Sequence, residues 1–278
     1  MFLNRVLKNM TIASGHIGKH PSLTTVQAGS SASVENQMPD PAQLSDGRWK
    51  KLPTQLSSIT LARFDQDICT NNHGISQRAM CFGLSLSWIN MIHAGKDHVT
   101  PYASAERMRF LGSFEGVVHA RTVHNFYRTE HKFLMEQASA NPGVSSGAMA
   151  GTESLLQAAE LKGLKLQPIL EDKSNSGLPF LIACKQSGRQ VSTDEAALSS
   201  LCDAIVENKR GVMVIYSQEI AHALGFSVSS DGKRATLFDP NLGEFHTHSK
   251  ALADTIENIS SVDGLPLIGV QVFASKIH

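Results

Sequence analysis

The sequence has no excess of charge of either sign. Its 278 residues include 25 lysines and arginines against 25 aspartates and glutamates, and its isoelectric point is about 7.2. Partners such as nucleic acids or anionic membrane surfaces are bound through a broad basic field, which this composition does not supply. We therefore expect no nucleic-acid partner.

Long apolar runs are also missing. The first ten residues include basic side chains but no continuous apolar stretch of about seven residues, which a secretory signal requires. No run approaches the roughly 18 apolar residues of a membrane span. Neither Met1 nor Met10 is followed by the glycine that N-myristoylation needs. The sequence thus predicts no stable membrane anchor.

Cysteine is scarce and widely spaced. The chain has four, at Cys69, Cys81, Cys184 and Cys202, and no C-x-x-C pair. This spacing indicates reduced thiols and argues against a disulfide framework or a structural zinc site.

Histidine, with twelve copies, is the residue type that raises the question of a metal site. His119, His124 and His131 fall in one predicted helix, but spacings of five and seven place no i, i+4 pair on one face. His246 and His248 would share one side of a strand without a nearby cysteine or carboxylate cluster. We expect no metal site and no cofactor.

The chain divides by composition near residue 48. Residues 11–46 are rich in Ser, Thr, Gln, Asn and Pro and show no sustained apolar period. Such a segment buries too little apolar surface to offset its ordering entropy. We predict a disordered arm over residues 1–48 and one folded domain over residues 49–278.

Within the folded part, helical patterns dominate the first half and strand patterns the second. Predicted helices run from Ser76 or Gln77 to about His93, Gly116 to Gln137, Thr152 to Lys162, Thr193 to about Asn208, and Lys250 to about Ile259. Predicted strands are Leu164–Leu170, Val212–Tyr216, Ala223–Ser229, Ala235–Phe238 and Leu267–Phe273. This order favours an α+β fold with a central antiparallel sheet flanked by helices.

Cys81 is the best candidate nucleophile. It lies in the first turns of an amphipathic helix, where backbone N–H groups favour a thiolate. Gly83 in the same helix costs up to about 1 kcal/mol relative to alanine, which indicates a close approach of another backbone or of substrate. The other three cysteines are interpreted as buried structural residues.

His222 and Asp239 are the candidate partners of this thiol. His222 begins a predicted strand between two alanines, and Asp239 ends the next strand before Pro240. The alternatives are a core histidine and a turn aspartate that bonds its own backbone. Adjacent antiparallel strands would bring the two side chains together, so that the carboxylate orients the general base.

Acyl transfer also requires donors for the developing oxyanion. The backbone N–H of Cys81 is one candidate, and Gln77, four residues upstream, is the favoured side chain. Ser76 and Asn72 are weaker alternatives.

Together these residues resemble the YopT/AvrPphB-like family of type III secreted effector cysteine proteases. The matching motifs are C-x-G-L-S-x-x-W at 81–88, the histidine at 222, and F-D-P-N-L-G-E-F at 238–245. The resemblance implies a papain-like fold with the nucleophile at a helix N-terminus, a Cys81–His222–Asp239 triad, and cleavage of host proteins through a thioester. It also implies that the arm carries a type III secretion signal for delivery into the host cell, with a secretion chaperone as candidate partner of the arm.

Two other functions remain open on these residues. A papain-like acyltransferase or deamidase would use the same triad but resolve the acyl-enzyme differently. A non-catalytic effector would bind and mask a host protein and would have no need of all three residues.

Overall fold

The computed structural model describes residues 49–75, 80–140, 147–170, 180–181, 183–187, 190–216, 221–265, 267 and 269–277. The arm predicted over residues 1–48 and the predicted oxyanion residue Gln77 lie outside these ranges.

Ten strands form within them. They are β1 (Thr60–Arg63), β2 (Leu164–Leu170), β3 (Phe180–Leu181), β4 (Ala183–Ser187), β5 (Gln190–Thr193), β6 (Arg210–Tyr216), β7 (Ala221–Val228), β8 (Arg234–Asp239), β9 (Gly243–His248) and β10 (Gly269–Ile277). Eight of them make one sheet in the order β1-β9-β8-β7-β6-β10-β2, with β3 also paired to β10, and β4 pairs with β5 separately. Every pairing is antiparallel.

Eight α-helices accompany the strands in the described ranges. They are α1 (Thr54–Ile59), α2 (Gln66–Asn72), α3 (Cys81–His93), α4 (Pro101–Leu111), α5 (Phe114–Ala140), α6 (Gly147–Glu160), α7 (Glu195–Asn208) and α8 (Leu252–Val262), the last preceded by a 3-10 turn (Ser249–Ala251). The predicted α+β fold with a central antiparallel sheet is therefore confirmed.

Each face of the large sheet is covered by its own helices. Residues of α3 to α6 form one buried cluster with Val212, Val214 and Phe273 of the sheet. Residues of α1, α7 and α8 form a second cluster with Met213, Val270 and Val272. Alternate residues of β6 and β10 thus enter opposite cores, as the two-residue repeat of a strand requires. The sheet is the middle layer of three.

Helix α3 is the most deeply buried helix element of the first cluster, with Leu86, Trp88 and Ile89 fully buried. It begins at Cys81, later than predicted, because the N–H of Met80 just before it donates to Gln66 Oε1 at 2.9 Å and not to a helical carbonyl. A Cβ added to Gly83 would lie 2.2 Å from the carbonyl oxygen of Ala120 on α5. The close backbone approach predicted at this glycine is present.

A buried ion pair between α4 and β9 is hydrogen-bonded to α3, so that it joins all three elements. Arg107 of α4 and Glu244 of β9 are 2% and 0% exposed. Arg107 Nε donates to Glu244 Oε2 at 2.9 Å, and its Nη2 donates to Oε1. Trp88 Nε1 donates to the same Oε2 at 2.8 Å. Two carbonyls, those of Lys96 and His98, accept from Arg107 Nη1 at 2.7 and 3.1 Å. This network explains the tryptophan and the glutamate of the two sequence motifs.

Candidate active site

Cys81 is the first residue of α3 and is 8% exposed. Burial by itself raises the pKa of the thiol, but the hydrogen bond and charge of His222 lower it, as do the backbone N–H groups of Ala223 and Phe82. The net direction is downward, so this environment favours the thiolate.

His222 lies at the start of β7 and is 5% exposed. Its Nε2 atom is 3.0 Å from Oδ2 of Asp239, the last residue of β8. Burial lowers the pKa of the imidazole, but the charge and hydrogen bond of Asp239 and the contact with Cys81 raise it well above its ordinary value. Because Nε2 faces a carboxylate, Nδ1 is the nitrogen left for the thiol.

The strand register explains how the two side chains meet. Gly225 of β7 pairs with Phe238 of β8, so His222 and Asp239 sit at the neighbouring ends of adjacent strands. Asp239 is fully buried, and its second oxygen, Oδ1, accepts from the N–H of Asn241 at 2.6 Å. Asp239 therefore fills both roles that the sequence left as alternatives: Oδ1 accepts from the backbone of its own turn, and Oδ2 faces the imidazole.

The two opposite pKa shifts describe an ion pair. A lowered thiol pKa and a raised imidazole pKa both favour thiolate beside imidazolium over the neutral pair. Such a pair supplies a nucleophile and a proton donor at the same point.

A second carboxylate, which the sequence did not suggest, reaches the same imidazole. Asp263 Oδ2 is 3.5 Å from His222 Nε2. Lys50 Nζ lies 2.7 Å from Asp263 Oδ1, and Asn241 Nδ2 donates to Oδ2 at 3.2 Å. In the sequence Asp263 precedes a glycine and reads as an ordinary turn residue, and nothing local marks its distant partners.

Gln66 is a further residue that sequence reasoning missed. It is 6% exposed and lies at the start of α2. Its Oε1 accepts the Met80 N–H next to the nucleophile, and its Nε2 donates to Asn241 Oδ1 at 2.6 Å. One amide thus joins the beginning of α3 to the turn that holds Asp239.

Aromatic side chains border the thiol on the α5 side. The rings of Phe82 and Tyr127 have centroids 5.8 Å apart. Burial and, after it, the charge of Cys81 raise the pKa of Tyr127. Beyond it, Tyr216 donates to Gln271 Oε1 at 2.5 Å.

The carboxylate and imidazole atoms of His222, Asp239 and Asp263 lie within 4.8 Å of one another, close enough to hold a cation. Here the ring nitrogen is a donor to Asp239 and Lys50 supplies the positive charge, so the arrangement is that of a histidine with two acceptors. His131 stacks on Tyr127 at 5.8 Å, and His124 lies 6.1 Å from the same ring. These histidines pack as aromatic groups.

The structure describes two of the four predicted oxyanion donors, Cys81 and Asn72. The backbone N–H of Cys81 lies at the helix start, as predicted. Ser76 and Gln77 lie outside the described residues, and Asn72, the last residue of α2, is exposed.

Comparison with known proteins agrees with this chemistry. A protein-family model, Peptidase_C58, described as Yersinia/Haemophilus virulence surface antigen, matches residues 58–261. The chain belongs to this family. A probable cysteine protease avirulence protein from Pseudomonas syringae pv. pisi, AvrPpiC2, is 98% identical over 269 residues, which is 97% of this chain and 100% of that protein. The crystal structure of the Pseudomonas avirulence protein AvrPphB has a TM-score of 0.53 at 19% identity and covers 80% of this chain and 100% of that one.

These comparisons establish the functional class of the protein. It is an effector cysteine protease with a papain-like fold, as the resemblance implied. Effector status implies host proteins as substrates and delivery into host cells as the route to them. Among its described helices, none is both long and apolar enough to cross a membrane.

Proposed function

We propose that Cys81, His222 and Asp239 are the catalytic triad of this protease. The observation that carries the proposal is the line of buried groups from thiol to imidazole to carboxylate, with 3.0 Å between His222 Nε2 and Asp239 Oδ2. The two pKa shifts support it, because they favour a charged nucleophile and a protonated base.

The reaction follows from these roles. The Cys81 thiolate attacks the carbonyl carbon of the scissile peptide bond, and the C–N bond breaks as His222 gives its proton to the leaving amine. The product is a thioester and a neutral imidazole. Water then attacks the thioester carbonyl while His222 takes its proton, and the C–S bond breaks to release the acid and restore the thiol–imidazole pair. Asp239 holds the ring in the same tautomer throughout.

The Cys81 N–H and the side-chain amide of Gln77 are our proposed oxyanion donors. Removing one such donor in comparable enzymes reduces kcat by about a hundredfold to a thousandfold. Gln77→Ala should therefore retain a folded enzyme with a loss of kcat in that range.

The domain division predicted from composition completes the proposal. Residues 1–48 serve as the arm that carries the type III secretion signal and binds a secretion chaperone. Residues 49–278 form the protease domain. Removal of the arm should abolish delivery into host cells and leave cleavage of a host lysate by purified protein intact.

The test of the triad is cleavage of host-cell lysate by purified protein, with new protein N-termini identified by mass spectrometry. Cys81→Ala, His222→Ala and Asp239→Asn should each lose the new termini while keeping the wild-type circular dichroism. Cys202→Ala, a half-buried cysteine on α7, is the matched control and should cleave normally. Wild-type cleavage by a folded Cys81→Ala protein would refute the assignment.

A further inference from the structure

We propose that Asp263 is a positioning residue of the active site: a second carboxylate that shares the Nε2–H of His222 with Asp239 and is held in place by Lys50 and Asn241. This inference rests on the proposed triad and deepens it.

The position of Asp263 is built by a turn. It follows α8 directly, its N–H donates to the Ile259 carbonyl at 3.1 Å, and Gly264 after it has φ of +66°. The side chain is 2% exposed and points to the imidazole, with 3.5 Å between Oδ2 and His222 Nε2. A surface turn aspartate with only a local role would have no reason to be buried beside a base.

Two buried carboxylates around one imidazole repel each other, so this arrangement needs compensation. Lys50 provides it, with 2.7 Å between Nζ and Asp263 Oδ1. Asn241 provides the second anchor, since its side chain donates to Asp263 Oδ2 at 3.2 Å and its N–H donates to Asp239 Oδ1 at 2.6 Å. The same asparagine therefore fixes the separation of the two acids.

Contacts with Arg63 fix the position of the segment that carries Lys50. Its backbone carbonyl accepts from Arg63 Nη2 at 2.7 Å, and the Arg63 guanidinium lies 5.5 Å from the centre of the Trp49 ring. Burial lowers the pKa of Lys50, but the hydrogen bond and charge of Asp263 and the charges of Asp239 and Asp65 raise it overall. The ammonium is therefore charged at the pH values at which Asp263 gains its charge.

The charged groups that face Asp263 are thus Asp239, His222 and Lys50, with Arg63 and Asp65 beyond Lys50. Burial, followed by the charge of Asp239, raises the pKa of Asp263 to about 6. The second carboxylate therefore gains its charge in the pH range in which a cysteine protease works.

An ionised Asp263 stabilises the imidazolium and, through it, the thiolate. Its removal should lower the pKa of His222 and raise the pKa of Cys81, which narrows the pH range of the ion pair at both ends. Lys50 and Asp263 lie outside residues 58–261, the span matched by the family model. The family match thus carries no information on this pair.

The test is the rate of Cys81 alkylation by iodoacetamide from pH 4 to pH 10, followed by peptide mass spectrometry. This neutral reagent forms a C–S bond with release of iodide, and its rate rises as the thiolate forms and changes again as the imidazolium loses its proton. Asp263→Asn should move the acid midpoint up by about 0.5 to 1 pH unit and the alkaline midpoint down by a similar amount. Asp263→Glu should restore part of both shifts.

Two further variants make the result decisive. Asp254→Asn removes an exposed carboxylate from α8 and should leave both midpoints unchanged. Lys50→Met keeps the Asp263 side chain but raises its pKa further, so it should reproduce the acid-limb shift even where Asp263→Asn does not fold.

His222→Ala separates failure of this inference from failure of the triad. It should raise the acid midpoint to that of an ordinary thiol, about 8.5, or above it, because burial raises the pKa of Cys81 once the imidazole is gone. Midpoints that are unchanged in His222→Ala would refute the triad itself. Midpoints that move in His222→Ala but match Asp254→Asn in both Asp263→Asn and Lys50→Met would overturn the second carboxylate alone.

Discussion

Loss of Arg107 is the sharpest test of what stabilises this fold. Arg107→Met keeps most of the buried aliphatic volume but leaves the Glu244 carboxylate, which is 0% exposed, with Trp88 Nε1 as its remaining partner among the contacts described above. It also removes a donor from the carbonyls of Lys96 and His98. Breaking a buried ion pair on one side costs about 3–5 kcal/mol. Since a domain is stable by only about 5–15 kcal/mol, this variant should be close to unfolding.

Urea unfolding followed by tryptophan fluorescence measures the change, in a Cys81→Ala background that lacks the proposed nucleophile. Arg109→Met on the same helix is the control, because Arg109 is exposed and its loss should change stability by about 0.5 kcal/mol or less. Adding Glu244→Gln to Arg107→Met removes the unpaired charge and keeps an acceptor for Trp88. The double variant should recover about 1–2 kcal/mol of the loss, a coupling expected of residues in direct contact.

A free energy of unfolding for Arg107→Met within about 1 kcal/mol of the Arg109→Met control would refute this reasoning. It would mean that water or a neighbouring group replaces the donors that Glu244 loses.

Three other predictions concern the site and its helix. Iodoacetamide at pH 7 should modify Cys81 well before Cys69, since burial raises the pKa of the Cys69 thiol to about 12 while the pKa of Cys81 is lowered; equal labelling in the folded protein would contradict the ion pair. Gly83→Ala should destabilise the protein by about 1–3 kcal/mol, because its methyl group meets the Ala120 carbonyl, and an unchanged urea midpoint would show that the two helices can separate at no cost. Because the pKa of Asp263 is raised, its stabilising effect is present below pH 4 and lost as pH rises through about 6. The free energy of unfolding, measured with urea at pH 4 and pH 8, should therefore fall by about 2–3 kcal/mol less in Asp263→Asn than in the wild type. An equal pH dependence of the two proteins would contradict the raised pKa.

The parts of the fold with strong local signals were predictable. Strand β2 matches the predicted Leu164–Leu170 at both ends, and α3 ends at His93 as its apolar stripe indicated. The strands carrying His222 and Asp239 were correct to within two residues, because each is followed by turn-forming residues, at 230–232 and 239–243. For the same reason the prediction that those two side chains meet was sound.

Elements held by distant contacts were missed. Helix α4 was not predicted although Thr100 and Pro101 form a normal start signal, because its pattern is weakly apolar and its buried face includes an arginine. The helix after β5 was predicted from Thr193, but its cap is Asp194, which accepts from two backbone N–H groups. Lys50 and Asp263 are 213 residues apart, and no local pattern in the sequence encodes such a pairing.

The position of β10 has a consequence for the order in which the chain folds. This strand is the last of those described in sequence, yet it occupies an interior place in the sheet, between β6 on one side and β2 with β3 on the other. Strands β6 to β9 can form a local meander as they leave the ribosome. Strand β2 pairs with β10, about 100 residues further on, so most of its apolar surface is buried late. Until then two strand edges remain open to wrong pairing, which makes partial chains prone to association. Helix α3 packs directly on β7, so Cys81 and His222 can meet before β10 is made, whereas the part of the α3–α6 layer that packs on β2 is fixed to the rest of the sheet only when β10 completes it.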